Sequence, residues 1–305
     1  NELPDLQARI QVSLFNILQE GDIQIRGFQL RMPLDIQFVF TANPEDYTNR
    51  GSIVTPLKDR IGSQIFTHYP KSIALARKIT QQEAKVSSAD KALIQVPSLA
   101  KDLLEEVAFQ ARSSEYVDAK SGVSARLTIS AMENLMAAAK LRLIETGSEK
   151  TRIRLVDFIS IIPSITGKIE LVYEGEQEGA DEVAKILIDN AVIKQFEKIF
   201  PRIPKLEKDG VKTPYTDLIH WFDNNFIELN YTDTDNEFYT NLKTVKPLSS
   251  VIEKYASKLS KEDQYFCMEL VLWGLTINNK LDKSENDTAY KFDSAGIGQY
   301  FHGSN

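Results

Sequence analysis

The sequence predicts an α/β fold that gives way to a mostly α one. Short alternating or β-branched apolar runs are confined to the residues before Lys71, and apolar residues at helical spacing dominate after it. The length, 305 residues, favours about two domains at roughly 100–200 residues each. A hydrophobic content of 42% with 26% charged residues excludes disorder, collagen and a disulfide scaffold. The net charge of −7 argues against a protein that coats nucleic acid, which needs a clustered basic surface.

Each element follows in order. Leu6, Ile10, Leu14 and Ile17 fall on one stripe, widened by Val12, Phe15 and Leu18, and Gly21 supplies a stop, so Leu6 to Gln19 reads as an amphipathic helix. Asp22 to Met32 alternates around Gly27, the pattern of a small β-hairpin turning near Arg26 and Gly27. Ile36 to Phe40 is a short apolar run that predicts a buried strand ending at Thr41-Ala42-Asn43-Pro44. A polar loop to Thr55, a turn at Pro56 to Arg60 and a second strand at Ser63 to Tyr69 complete the α/β part.

Helices are then expected over Lys71 to Glu83, Ser98 to Ala111 and Thr128 to Glu145, the last capped by Gly147. Further helices are expected at Ala180 to Phe200, Tyr215 to Asn225, Ser249 to Leu259 and Lys261 to Leu275. Pro201 and Pro204 end the first of these, and Lys205 to Pro214 reads as a linker. After Asn278 the chain turns polar and a loosely ordered tail is expected.

Most isolated chemical candidates have plain structural readings. Cys267 lies between Phe266 and Met268 and reads as a small buried hydrophobe. His68, His220 and His302 lack zinc-ligand spacing, so no metal centre is expected from them. Asp233-x-Asp235 departs from a calcium loop at Glu237 and Phe238 and reads as a solvated turn. Glu174 to Gly179 is an acidic stretch ahead of a helix, where the helix dipole favours negative charge. Trp221 and Trp273 read as core residues.

One ordered set stands apart. Glu2-Leu3-Pro4 is followed by Leu14 to Gly21, the hairpin from Asp22 to Met32, and Phe38-Val39-Phe40-Thr41-Ala42-Asn43-Pro44. Pro56-Leu57-Lys58-Asp59-Arg60-Ile61 and Gly122-Val123-Ser124-Ala125-Arg126 come after. In this order and spacing the residues resemble the AAA+ ATPases of the MoxR and magnesium-chelatase group over about residues 1 to 147. The resemblance implies the C-terminal part of an AAA+ P-loop core with a β-hairpin insert (1–70), a helical lid (71–150) and an additional mainly helical domain (151–305).

It also implies roles in phosphoryl transfer, where catalysis consists of positioning and charge stabilisation. Glu2 would polarise the attacking water, Asn43 would sense the γ-phosphate, Arg60 would be an arginine finger reaching into a neighbouring subunit, and Arg126 would be the lid's second sensor. Arginine suits both posts because its planar fork stays charged and grips phosphate oxygens in pairs. ATP and Mg²⁺ are the implied cofactors, and a ring homo-oligomer acting on a protein client is the implied assembly. Arg26, Phe28 and Arg31 on the hairpin are the expected partner contacts.

Two departures qualify the resemblance. Asn1 stands where the family has the carboxylate that supports Mg²⁺, and an amide is a weaker ligand for a hard cation. The phosphate-binding pattern is absent, since the one Gly-Lys pair, Gly167-Lys168, has Ile162 and Ile169 at the positions that need Gly and a hydroxyl. The sequence thus reads as a chain cut at its front, inactive alone, whose whole form is an ATPase. The alternative is a catalytically impaired scaffold that recruits partners through its helical second half. Without a leader or an apolar run long enough to cross a bilayer, a cytoplasmic location is expected.

Overall fold

The computed structural model describes residues 2–20, 22–25, 28–31, 37–42, 53–204, 212–286 and 288–296. It is a mixed α/β chain, mostly helical with small sheets, and divides into two compact units, residues 1–68 and 69–305.

In the first unit, Pro4 opens a 3-10 turn at Leu3–Asp5, and α1 spans Ala8–Glu20. The expected hairpin forms from β1, Asp22–Ile25, and β2, Phe28–Arg31, paired antiparallel with Ile23 opposite Leu30. A single turn of helix, α2 at Thr55–Lys58, carries Pro56 in its first turn, where the missing N–H costs nothing. Gln11, on α1, ties α2 down: its Oε1 accepts from the Val54 N–H at 2.9 Å and its Nε2 donates to the Leu6 carbonyl at 2.9 Å. Leu3 and Leu57 are buried here.

Neither strand expected in this unit has a ladder among the described residues. Gln37 to Ala42 and Ile61 to Pro70 form no regular secondary structure, and one backbone bond, from the Leu3 N–H to the Thr41 carbonyl at 2.9 Å, reaches the first of them. An apolar run becomes a strand only against a neighbour that satisfies its backbone. Val39, Ile65 and Phe66 accordingly stand 79%, 87% and 77% exposed.

The second unit is built around one hydrophobic core running from Ala84 to Phe292. Its helices are α3 (Ile73–Glu83), α4 (Ser88–Leu93), α5 (Ser98–Ser113), α6 (Arg126–Thr146), α7 (Ile162–Thr166), α8 (Tyr173–Glu178) and α9 (Ala180–Ile199). They continue with α10 (Thr216–Phe222), α11 (Asp235–Thr244), α12 (Lys246–Ala256) and α13 (Lys261–Ile277). A two-residue parallel pair joins β3, Ile94–Gln95, to β4, Thr151–Arg152, and a 3-10 turn covers Leu155–Ile161.

Capping explains several boundaries. Gly147 ends α6 in the left-handed region at φ 62°, as the sequence predicts. Thr234 and Glu237 form a capping box that starts α11. Helix α5 begins after Pro97, which has no side chain to cap with, and the orphan Leu99 N–H is met instead by Asp263 Oδ1 from α13 at 2.9 Å. Helix α9 lies against α5 and α13, so these three form the centre of the unit.

The tail expectation is corrected over Leu281 to Ser294. β5 (Ile227–Asn230), β6 (Leu281–Glu285) and β7 (Ala289–Ser294) form an antiparallel sheet in the order β5-β7-β6, with Tyr290 and Phe292 buried. The acidic stretch before α9 is itself the helix α8, separated from α9 by Gly179 at φ 91°. The Gly167-Lys168 pair sits at the C-terminal end of α7, where Gly167 caps the helix.

Candidate functional site

The residues named from the sequence fall in both units. Glu2 adopts a left-handed backbone, φ 51° and ψ 60°, an uncommon conformation for a non-glycine residue. Its N–H donates to Thr41 Oγ1 at 3.0 Å, and the next N–H, of Leu3, donates to the Thr41 carbonyl. Residue 2 is thereby fastened to the segment that leads into Asn43. Glu2 Oε2 is buried without a hydrogen-bond partner among the described residues. A carboxylate oxygen held from water and left unmet is costly, and such atoms concentrate where something else is meant to bind. Asn43, Asn1 and Arg26 lie outside the described residues, as does the side chain of Arg31.

Arg60 follows α2 and is held by α1. Its Nε donates to Gln19 Oε1 at 3.0 Å, its Nη1 donates to the Pro56 carbonyl at 2.6 Å, and its Cζ lies 5.0 Å from the centre of the Phe15 ring. These partners, an amide, a carbonyl and an aromatic face, orient the guanidinium without adding a counter-charge. No carboxylate pairs with it among the described residues, although Asp59 is its chain neighbour. Phe28, at the start of β2, is 80% exposed.

Arg126 begins α6 in the second unit and is exposed, its backbone N–H accepted by Ser124 Oγ at 3.2 Å. Tyr69 supports the turn ahead of it, its hydroxyl accepting from the Val123 N–H at 3.0 Å and its ring lying 4.2 Å from Arg112 Cζ. Gly122, at φ +71°, is required there because a Cβ would meet the Tyr69 hydroxyl at 2.6 Å.

Sequence reasoning missed the second unit's buried charge network. Arg142 on α6 forms a forked pair with Asp157, one arm at 3.0 Å, and its Nη2 also donates to the Arg152 carbonyl at 2.6 Å. Arg154, fully buried, donates to the Asp233 carbonyl at 2.6 Å and to Asp235 Oδ1 at 3.2 Å, with its Cζ 4.1 Å from the Phe238 ring centre. Asp235 is therefore no solvated turn residue: it anchors an arginine under the start of α11. Glu269 accepts from the Leu155 N–H at 2.9 Å, and burial pushes its carboxyl up to about 8. The only sequence signal was the run of charges at Thr151 to Asp157 between two apolar helices. This network links β4, the 3-10 turn, α11 and α13, so its plain role is to lock those elements together.

Cys267 is buried, and burial pushes its thiol up, which opposes the thiolate a nucleophile needs. No group of three or more His, Cys, Asp or Glu side chains is placed to hold a metal ion among the described residues. No described helix is long and apolar enough to cross a membrane. No protein-family model, no curated protein and no solved structure matches this chain.

Proposed function

We propose that this chain is the later part of an AAA+ ATPase of the MoxR and magnesium-chelatase type, which hydrolyses ATP in an oligomeric ring to remodel a protein client. The observation that carries the reading is the ordered motif set from Glu2 to Arg126. Two local features support it: the fastening of Glu2 to Thr41, with Oε2 unmet among the described residues, and the orientation of the Arg60 guanidinium by Gln19 and Phe15. The fit to nucleotide is partial. Glu2 and Arg60 suit the γ-phosphate end, while the chain contains no phosphate-binding loop to hold the rest of an ATP molecule.

In this reading ATP with Mg²⁺ supplies the phosphoryl group and its leaving group. Glu2 would accept a proton from the water whose oxygen bonds to the γ-phosphorus as the bond to ADP breaks, Asn43 would hold that water or a phosphate oxygen, and Arg60 would meet the developing negative charge on a neighbouring copy. Arg126 would serve as the lid's second sensor. A Glu2→Gln change tests this: turnover should fall by about a hundredfold or more, as for loss of a general base, while nucleotide binding is kept. Unchanged turnover would overturn the assignment.

A second reading is favoured by Asn1. An amide in the metal-supporting post weakens Mg²⁺ binding, and the protein would then be a scaffold that holds nucleotide without turning it over.

A further inference from the structure

The second unit carries a basic surface that the nucleotide reading leaves unused. Between Lys243 and Lys261 the chain has five lysines, at 243, 246, 254, 258 and 261, against one acid, Glu253, although the whole chain carries −7. All five are exposed and none forms an ion pair among the described residues. An excess of like charge over a short stretch of surface raises the local field, an arrangement that gains when an anion arrives.

A half-open cavity of about 450 Å³ lies where the end of α11 meets α12 and the start of α13; of the five lysines Lys243 and Lys261 line it, and Glu253 is the one acid in its lining. Lys243 and Lys261 stand at its mouth, Ser249 and Gln264 add polar groups, and the buried side chains of Ile252 and Met268 supply apolar wall. Lys243 is positioned rather than neutralised: its Nζ donates to the Tyr265 hydroxyl at 3.0 Å and lies 4.9 Å from that ring's centre. Tyr265 is itself fixed by stacking on Tyr239, with ring centres 4.2 Å apart. Its ring is thus occupied by Tyr239, Lys243 and Arg152, whose Cζ is 5.2 Å away, which leaves no free aromatic face for a nucleobase. An apolar wall behind a cationic rim suits an aromatic or aliphatic side chain flanked by carboxylates.

This chain displays such a segment. Helix α8 presents Tyr173, 69% exposed, followed by Glu174, Glu176 and Glu178, all exposed and none ion-paired among the described residues. Pocket and acidic helix are both open in the same molecule, so neither covers the other. We propose that the Lys243/Lys261 pocket receives Tyr173 and its flanking glutamates from a second copy of this chain. Two different surfaces then meet head to tail, and such a contact propagates into a ring if its rotation closes and into a filament if it does not. It uses no residue of the nucleotide site, so association indifferent to the charge reversals would sink this contact and leave the ATPase reading standing, whereas loss of nucleotide binding would sink that reading alone.

Sedimentation velocity of the chain without nucleotide tests it. Association should grow with concentration and weaken as salt rises from about 50 to about 500 mM, because the contact is between charges at a surface. The pair Lys243→Glu with Lys261→Glu should weaken association about tenfold or more, and so should Glu174→Lys with Glu176→Lys. Mixing the two variants should restore association, since each then offers the charge the other needs, and this rescue distinguishes a broken contact from a misfolded chain. Tyr173→Ala should weaken association at unchanged charge. A chain that stays monomeric, association indifferent to both reversals, or a pocket that takes an acidic peptide or an oligonucleotide while the chain remains monomeric would each overturn the second-copy assignment.

Discussion

Replacing Glu269 with glutamine should make the second unit more stable at neutral pH than at acid pH, relative to the unaltered chain. Glu269 lies inside the unit with Oε2 on the Leu155 N–H, the Tyr290 hydroxyl 3.4 Å away, and Oε1 without a hydrogen-bond partner among the described residues. Burial is the largest cause of its raised carboxyl, from an ordinary 4.5 to about 8; Arg154 opposes the rise and Asp157 adds to it. A carboxyl raised in the folded state keeps a proton that the unfolded chain has released. Its stabilising contribution is complete below pH 4.5 and is lost as pH rises toward about 8. At ~1.4 kcal/mol per pH unit, roughly 3 kcal/mol has gone by pH 7. Glutamine keeps the shape and an acceptor for Leu155 but has no charge to desolvate. Urea unfolding at several pH values should show the advantage of Glu269→Gln growing by roughly 3 kcal/mol from acid to neutral pH, or roughly 6–12 °C in Tm at this size. An equal loss of stability at every pH would refute the reasoning and would mean that Glu269 is ionised against Arg154.

Three other outcomes follow from particular contacts. Gly274→Ala places a Cβ 2.9 Å from the Phe196 ring where α13 crosses α9, and overpacking there should cost about 1–3 kcal/mol, read as a lower urea midpoint with unchanged slope. Asp157→Ala strands the buried Arg142 guanidinium and should cost about 3–5 kcal/mol in the same assay. Gly122→Ala meets both the Tyr69 hydroxyl at 2.6 Å and a left-handed backbone, and should destabilise the turn ahead of Arg126 by about 1–3 kcal/mol, seen as faster amide exchange at Val123.

The longest helices were legible because their signals are local. Apolar spacing and end signals placed α1, α5, α6, α9 and α13 within a few residues, and Gly147 marked the end of α6. Strands were less legible because a ladder depends on a partner elsewhere. Phe38-Val39-Phe40 has the composition of a strand but no ladder among the described residues, whereas Leu281 to Glu285 looks polar and forms one against β7. The alternation of Tyr290 and Phe292 was the available signal for that sheet, obscured by the surrounding charges. At the candidate site the sequence named Glu2 and Arg60 but not what holds them. Thr41, Gln19 and Phe15 do that work across 39, 41 and 45 residues of chain, and such contacts leave no mark in a single sequence. The buried ions Arg154 and Glu269 were missed for the same reason.

The most direct measurement is Mg²⁺-dependent ATP hydrolysis by the intact protein over a range of protein concentrations, with and without Arg60→Ala. The account predicts turnover per molecule that rises as copies assemble and is lost in Arg60→Ala, with nucleotide binding and the folded state retained. Absence of nucleotide binding, or turnover that neither depends on concentration nor responds to Arg60→Ala, would contradict it.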